Sequence, residues 1–272
     1  MDPVLDLVHR INDSKKLRVW SLIITFFGDA VVPRGGAVSA RTVQQILARM
    51  GIESGAVRTA FSRLTNDGWV VREKIGRSSF YRLSETGIQP FQEATDRIYA
   101  PLTVLSGEAA DQHASKWTVS IARSDYPKIR LQKSRSESQT AQLVQSDNLI
   151  LQGELVHVPE WLKQANARAG HADSYHNLMQ AFEPVVDTKL EPLDALSVRC
   201  LLIHEWRRIL FQYDTVEPEF WPDDWPQAHC HSFVRNLYHH LLPDSERWMS
   251  DNATGPDGAI GKSKRDPAQR FN

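Results

Sequence analysis

Apolar residues recur every three or four positions through the first quarter of the chain, and then the period changes. In KKLRVWSLIITFFGDAVV, Leu17, Trp20, Ile24 and Phe27 fall at helical spacing and predict a helix over about residues 15–30 whose apolar face needs burial. PRGGAVS follows as a turn-rich connector. Val43, Ile46, Leu47 and Met50 then repeat i, i+3, i+4, i+7, so ARTVQQILARM reads as a second helix with Ser39 as its N-cap. Gly51 suits the left-handed position past its end, and Ile52 covers the joint. A third helix starts at Glu53 or Ser54, carries the stripe Val57, Ala60, Phe61 and Leu64, and ends near Asp67-Gly68. Its other face holds Gly55, Arg58, Thr59, Ser62, Arg63 and Asn66, which are small, polar or basic. In WVVREKIGRSSFYRLSETG, β-favouring residues flank GRSS and predict two strands and a tight turn. Arg72, Lys74, Arg77 and Arg82 lie along this hairpin, and Trp69, Tyr81 and Leu83 pack back on the helices. Three helices followed by a basic hairpin describe a winged helix-turn-helix.

The patterning divides the rest of the chain. IQPFQEATDRIYAP reads as a linking helix ended by Pro101. KWTVSIA and DNLILQGELVHVP read as strands of a small α+β domain, with polar or helical material between them. From DALSVRCLLIHEWRRILFQYD the pattern is helical, with a proline-rich break at PEFWPDDWP and a resumed helix in QAHCHSFVRNLYHHLL. The tail NATGPDGAIGKSKRDPAQRFN has little apolar content and is expected to be disordered. The expected class is mainly α with α+β. The expected domains are a DNA-binding module at 1–87, a linking helix and linker at 88–115, a central α+β domain at 116–186, a helical C-terminal domain at 187–250 and the tail at 251–272.

Charge sharpens this picture. The net charge of −1 hides a split, because residues 34–82 hold nine Arg or Lys against three Asp or Glu, an excess of six positive charges on an otherwise acidic chain. A basic module on an acidic body suits a polyanionic partner. No apolar run approaches the roughly 20 residues of a membrane helix, and MDPVLDLVHRINDSKK lacks the features of a signal peptide, so no membrane role and a cytoplasmic location are expected. The two cysteines, Cys200 and Cys230, make neither a disulfide framework nor a repeated metal motif.

The candidate chemistry follows from these placements. In the major groove, Ser54, Gly55, Arg58, Thr59 and Ser62 of the third helix face base edges and Arg63 reaches phosphate, while Lys74, Arg77 and Ser78 of the hairpin follow the backbone or enter the minor groove. The competing reading is a protein-interaction module that uses the same winged helix without reading DNA sequence. HCHSF with His239 and His240 raises a metal site, but His229 and His231 are two apart and face different sides of a helix, so no metal or other cofactor is expected. Trp206, Phe211, Tyr213, Phe220, Trp221, Trp225, Phe233 and Tyr238 crowd the later part. They pack a core or line a pocket for an aromatic or acyl ligand, with Arg199, Arg207 or Arg208 near its anionic group. No Gly-x-Ser-x-Gly elbow, phosphate-binding loop, Rossmann fingerprint or cysteine-nucleophile setting appears, and no enzyme is expected.

PRGG, VRTAFSRL, GW and GRSSFYRLSETG in that order, with YDTVEPEFWPDDWPQAHCHSFVRNLYHHLLP later, resemble the PaaX-type repressors of phenylacetic acid degradation. The resemblance implies a winged helix, a central ferredoxin-like (Cas2-like) domain and a helical C-terminal domain in a homodimer. It implies repression of an aromatic-acid catabolic operon through double-stranded operator DNA, released by an aryl-acetyl-CoA effector, notably phenylacetyl-CoA. It assigns DNA contact to the helix holding Arg58 to Arg63 and to Gly76-Arg77-Ser78. Where the family's first central strand runs into an Asp-Ile-Pro-Glu-like segment, this chain has WTVSIA followed by RSDYPKIR. Nucleases of the Cas2 type use an aspartate at the end of that strand, where Ala122-Arg123 stand here, which argues against catalysis.

Overall fold

A computed structural model of the chain describes residues 2–14, 16–102, 116–121, 129–133, 149–167, 172–212, 220–264 and 266–272. It is mostly helical with small antiparallel sheets. Helix α1 (Pro3–Ser14) precedes the first helix expected from the apolar pattern, and its stripe of Val4, Leu7, Val8 and Ile11 is buried. Helix α2 (Val19–Phe26) continues without a break into a π-helical turn at Phe27–Val31 and a 3-10 turn at Val32–Arg34. The predicted single helix is therefore shorter at its start and changes its winding where Asp29 sits inside the apolar run.

The next elements follow their local chemistry closely. Strand β1 (Ala37–Ser39) leads into α3 (Ala40–Arg49), whose N-cap Ser39 accepts from the Thr42 N–H. Gly51 at φ +76° ends it, with Ile52 N–H donating to Leu47 and Gly51 N–H to Ala48, the paired bonds of a Schellman motif. Helix α4 (Ser54–Asn66) ends the same way at Gly68, φ +74°. Strands β2 (Val70–Ile75) and β3 (Ser78–Leu83) pair from Val70 with Leu83 to Ile75 with Ser78, leaving a two-residue turn of Gly76 and Arg77. Gly76 alone takes a positive φ there, +59°, the requirement of a II′ turn. The sheet order is β1-β3-β2.

Helix α5 (Glu85–Ile98) starts three residues before the predicted linker, because Ser84 caps it by accepting from the Gly87 N–H. Strands β4 (Lys116–Ile121), β5 (Ile129–Lys133) and β6 (Leu149–Glu154) form an antiparallel sheet in the order β5-β4-β6. Strand β5 occupies part of a stretch read as polar or helical. Ala122 and Arg123, most of RSDYPKIR, residues 103–115 and Tyr213 lie outside the described residues. Helices α6 (Glu160–Asn166), α7 (Ala172–Val186), α8 (Pro192–Gln212) and α9 (Gln227–Asn252) follow. Helix α8 is buried around nearly its whole circumference, packing on α9, α2, α3 and α7.

The tail, expected to be disordered, carries ordered elements among its described residues: a small hairpin, β7 (Thr254–Gly255) with β8 (Gly258–Ala259), lies beside β1, and a 3-10 turn at Pro267–Gln269 leads the end of the chain back to Tyr99. The segment is poor in apolar residues, but Ile260 and Phe271 are both buried and hold it down.

Candidate nucleic-acid interface and its supporting cavities

Helix α4 has two chemically separate faces. Val57, Ala60, Phe61 and Leu64 are buried, whereas Ser54, Gly55, Arg58, Thr59, Ser62 and Arg63 are all exposed. The Thr59 hydroxyl donates to the Gly55 carbonyl within the helix, which leaves its oxygen as an acceptor. Arg63 is partly committed, to Asp67 at 3.4 Å and to the face of Trp20, whose centroid lies 5.4 Å from the guanidinium carbon. Arg58 has no hydrogen bond or ion pair among the described residues, and neither have Lys74 and Arg77 on the hairpin. Arg58 sits at the middle of the helix and Arg77 at the tip of the hairpin.

Rigidity behind this surface comes from aromatic packing. Phe61 stacks on Tyr81 of β3 with centroids 3.8 Å apart and meets Phe27 edge to face at 6.5 Å. The helix, the hairpin and the π-helical turn therefore share one anchor. Not all of the basic excess serves the surface, however. Arg49 bonds Asp2 and Asp194, tying α3 to the chain start and to α8, and Arg34 is buried against Glu246 of α9.

A buried charge cluster joins this region to the C-terminal helices. Asp29 faces Arg199 of α8 and Arg270 of the tail, at 2.7 and 2.5 Å, and accepts from the hydroxyls of Tyr99 and Tyr238. The Arg199 Nε contact is poorly aligned as a hydrogen bond and acts chiefly through charge. Burial alone raises the Asp29 pKa, but Arg199, Arg270 and the Tyr99 hydroxyl hold it below the ordinary carboxylate value.

The three arginines singled out for an anionic ligand separate here. Arg199 is fully buried and bonded to Asp29, Glu246 and Ser245. Arg208 is paired with Glu205 at 2.6 Å. Arg207 bonds only Ser21, through its carbonyl and hydroxyl, and has no carboxylate partner among the described residues. It borders an apolar chamber of about 140 Å³ and a more polar vestibule of about 450 Å³. The chamber's aromatic wall is Trp20, Trp69, Phe91 and Tyr99, none of them in the aromatic-rich C-terminal half to which the composition pointed. In that half, Trp206 and Tyr238 are core, and Trp221 stacks on Trp225. His231 is buried and contacts the Ala100 carbonyl through Nε2, and no cluster of metal-ligating side chains occurs among the described residues.

Two family models match the chain, "PaaX-like protein" over residues 18–87 and "PaaX-like protein C-terminal domain" over residues 168–251. Together they cover more than half of it. The chain belongs to the PaaX-like family. Over 88 % of its length, and 85 % of the relative's, it is 25 % identical to the transcriptional repressor PaaX of Escherichia coli (strain K12). The solved structure of uncharacterized protein Rv0674 from Mycobacterium tuberculosis aligns with 76 % of this chain and 89 % of its own, with 14 % identity and a TM-score of 0.46. PaaX-like proteins are transcriptional regulators rather than enzymes. Every residue of the candidate DNA surface falls in the first PaaX-like segment, and Arg199, Arg207 and Arg208 fall in the second. No helix among the described residues is long and apolar enough to cross a membrane.

Proposed function

We propose that this PaaX-like protein is a homodimeric repressor that holds double-stranded operator DNA through a winged helix-turn-helix of α3, α4 and the β2–β3 hairpin. An aryl-acetyl-CoA, phenylacetyl-CoA first among them, releases it to open an aromatic-acid catabolic operon. The middle sheet belongs to a ferredoxin-like domain in this reading. The observation that carries it is Arg58: an exposed guanidinium without an acidic partner, at the centre of a polar face whose opposite side is locked into the core. Such a fork pairs with guanine N7 and O6, while Ser54, Gly55, Thr59 and Ser62 beside it permit close approach to base edges. Arg63, Lys74, Arg77 and Ser78 supply backbone contacts.

Fluorescence anisotropy with upstream and scrambled duplexes, at several salt concentrations, tests the DNA half. A bidentate base contact is worth about 1–3 kcal/mol, so Arg58→Ala is expected to lose roughly 5- to 150-fold in affinity for the upstream duplex and most of its preference over scrambled DNA. Arg77→Ala is expected to weaken both duplexes alike and lower the salt slope by about one. Equal wild-type affinity for both duplexes, independent of salt, sinks the reading and favours a protein partner.

A further inference from the structure

The polar face of α4 carries one side chain whose polar group is already occupied. Thr59 is exposed, yet its hydroxyl donates to the Gly55 carbonyl one turn back, at 3.1 Å. That bond selects one of the two χ1 wells open to a helical threonine, turning Oγ1 back along the helix and leaving the Cγ2 methyl as the group that projects. We propose that Thr59 is a specificity-determining residue that reads thymine through this methyl, beside the guanine taken by Arg58. The inference rests on the DNA half of the function above and adds the second base and the group that selects it.

The neighbours of Thr59 keep its methyl in apolar company. Ala56 stands one turn before it on the same side of the helix, exposed and with only a methyl to offer. Arg63, one turn after it, is drawn off to Asp67 and to the ring of Trp20. Gly55 brings the backbone close. A Cβ there would meet nothing within 4 Å, and its φ is not positive, so neither packing nor backbone geometry calls for a residue that weakens the helix. A larger side chain at that point would stand between the helix and a base edge.

The result is an apolar spot on an otherwise polar face. In the major groove the C5-methyl of thymine is the apolar group that a base edge presents, and threonine and alanine methyls are suited to touch it. Adenine, guanine and cytosine offer only donors and acceptors there, which this spot leaves unmatched. Arg58 and Thr59 are successive residues, so the thymine falls within about two base pairs of the guanine.

Fluorescence anisotropy of the full chain tests this with its upstream duplex and the same duplex made with deoxyuridine at every thymine, which removes the C5-methyls and keeps the pairing. Wild type is compared with Thr59→Ser, which keeps only the hydroxyl, and Thr59→Val, which keeps only methyls; thermal melting reports whether each folds. One buried methyl corresponds to about fourfold in affinity, so wild type is expected to prefer the thymine duplex by at least that factor. Thr59→Val is expected to retain the preference and Thr59→Ser to lose it. Single deoxyuridine substitutions are expected to trace it to a thymine close to the base pair whose change is silent in Arg58→Ala. A preference kept by Thr59→Ser and lost by Thr59→Val assigns the readout to the hydroxyl and overturns the proposal. An equal preference in all three proteins, or none in wild type, also overturns it and leaves the DNA reading standing. Equal wild-type affinity for upstream and scrambled duplexes overturns both.

Discussion

Removing the Asp29 carboxylate strips the shared counter-charge from two arginines. Asp29 is 3 % exposed and Arg199 is 0 % exposed, so neither has water to fall back on, and Glu246, 2.7 Å from Arg199 and shared with Arg34, does not reach Arg270. Breaking a buried pair by deleting one partner costs about 3–5 kcal/mol, which for a chain of this size lowers Tm on the order of 10 °C. Asp29→Ala is expected to show that loss in urea unfolding followed by circular dichroism. Asp29→Asn, which keeps the shape and an acceptor for Tyr99, is expected to lose less. The pH dependence has a definite sign. The folded Asp29 pKa lies below its unfolded value, so the carboxylate contributes fully above about pH 4 and its contribution fades as pH falls below that. The stability gap between wild type and Asp29→Ala is therefore constant through neutral pH and narrows in acid. A gap under about 1 kcal/mol at pH 7, or one that widens in acid, refutes the account of Asp29 as the hub joining the π-helical turn, α8 and the tail.

Two further expectations follow from close packing. Phe271→Ala empties a site walled by Tyr99, His231 and Tyr238, and is expected to cost about 3–5 kcal/mol in the same assay; a change within ~0.5 kcal/mol shows that the tail is only laid on the surface. In Gly28→Ala the new methyl overlaps the far edge of the Phe91 ring, and the open space beside that ring is the chamber. The variant is expected to melt within a few degrees of wild type, because a ring edge swings more cheaply than backbone. A fall in Tm of more than about 10 °C refutes that freedom of the ring.

The elements around α3, α4 and the hairpin were legible because each carries its own stop and start signals: the Ser39 cap, Gly51, Gly68 and Gly76 act within four residues of themselves. Helix α1 carries an equally clear stripe at Val4, Leu7, Val8 and Ile11, legible as one face of a helix. Strand β5 is five residues of mixed polarity, and only its pairing with β4 identifies it. The tail's composition argued for disorder because composition counts apolar residues without asking where each one lands. Two buried side chains and one arginine suffice once the rest of the fold presents a place for them.

The arginines of α8 show a more general limit. DALSVRCLLIHEW is apolar on every side, the mark of a helix buried all round. An arginine inside such a helix needs an acid, and Asp29, in the apolar run ITFFGDAVV, supplies it from 170 residues away. Glu205 stands in the same helix as Arg199, so only the fold shows which acid pairs with it. Arg207 stands where the helix begins to turn toward solvent, so it is the arginine that the fold's own carboxylates leave unpaired. A buried charge with an internal partner is architecture. Arg207, half-buried at the edge of the core, is held by the Ser21 carbonyl and hydroxyl instead.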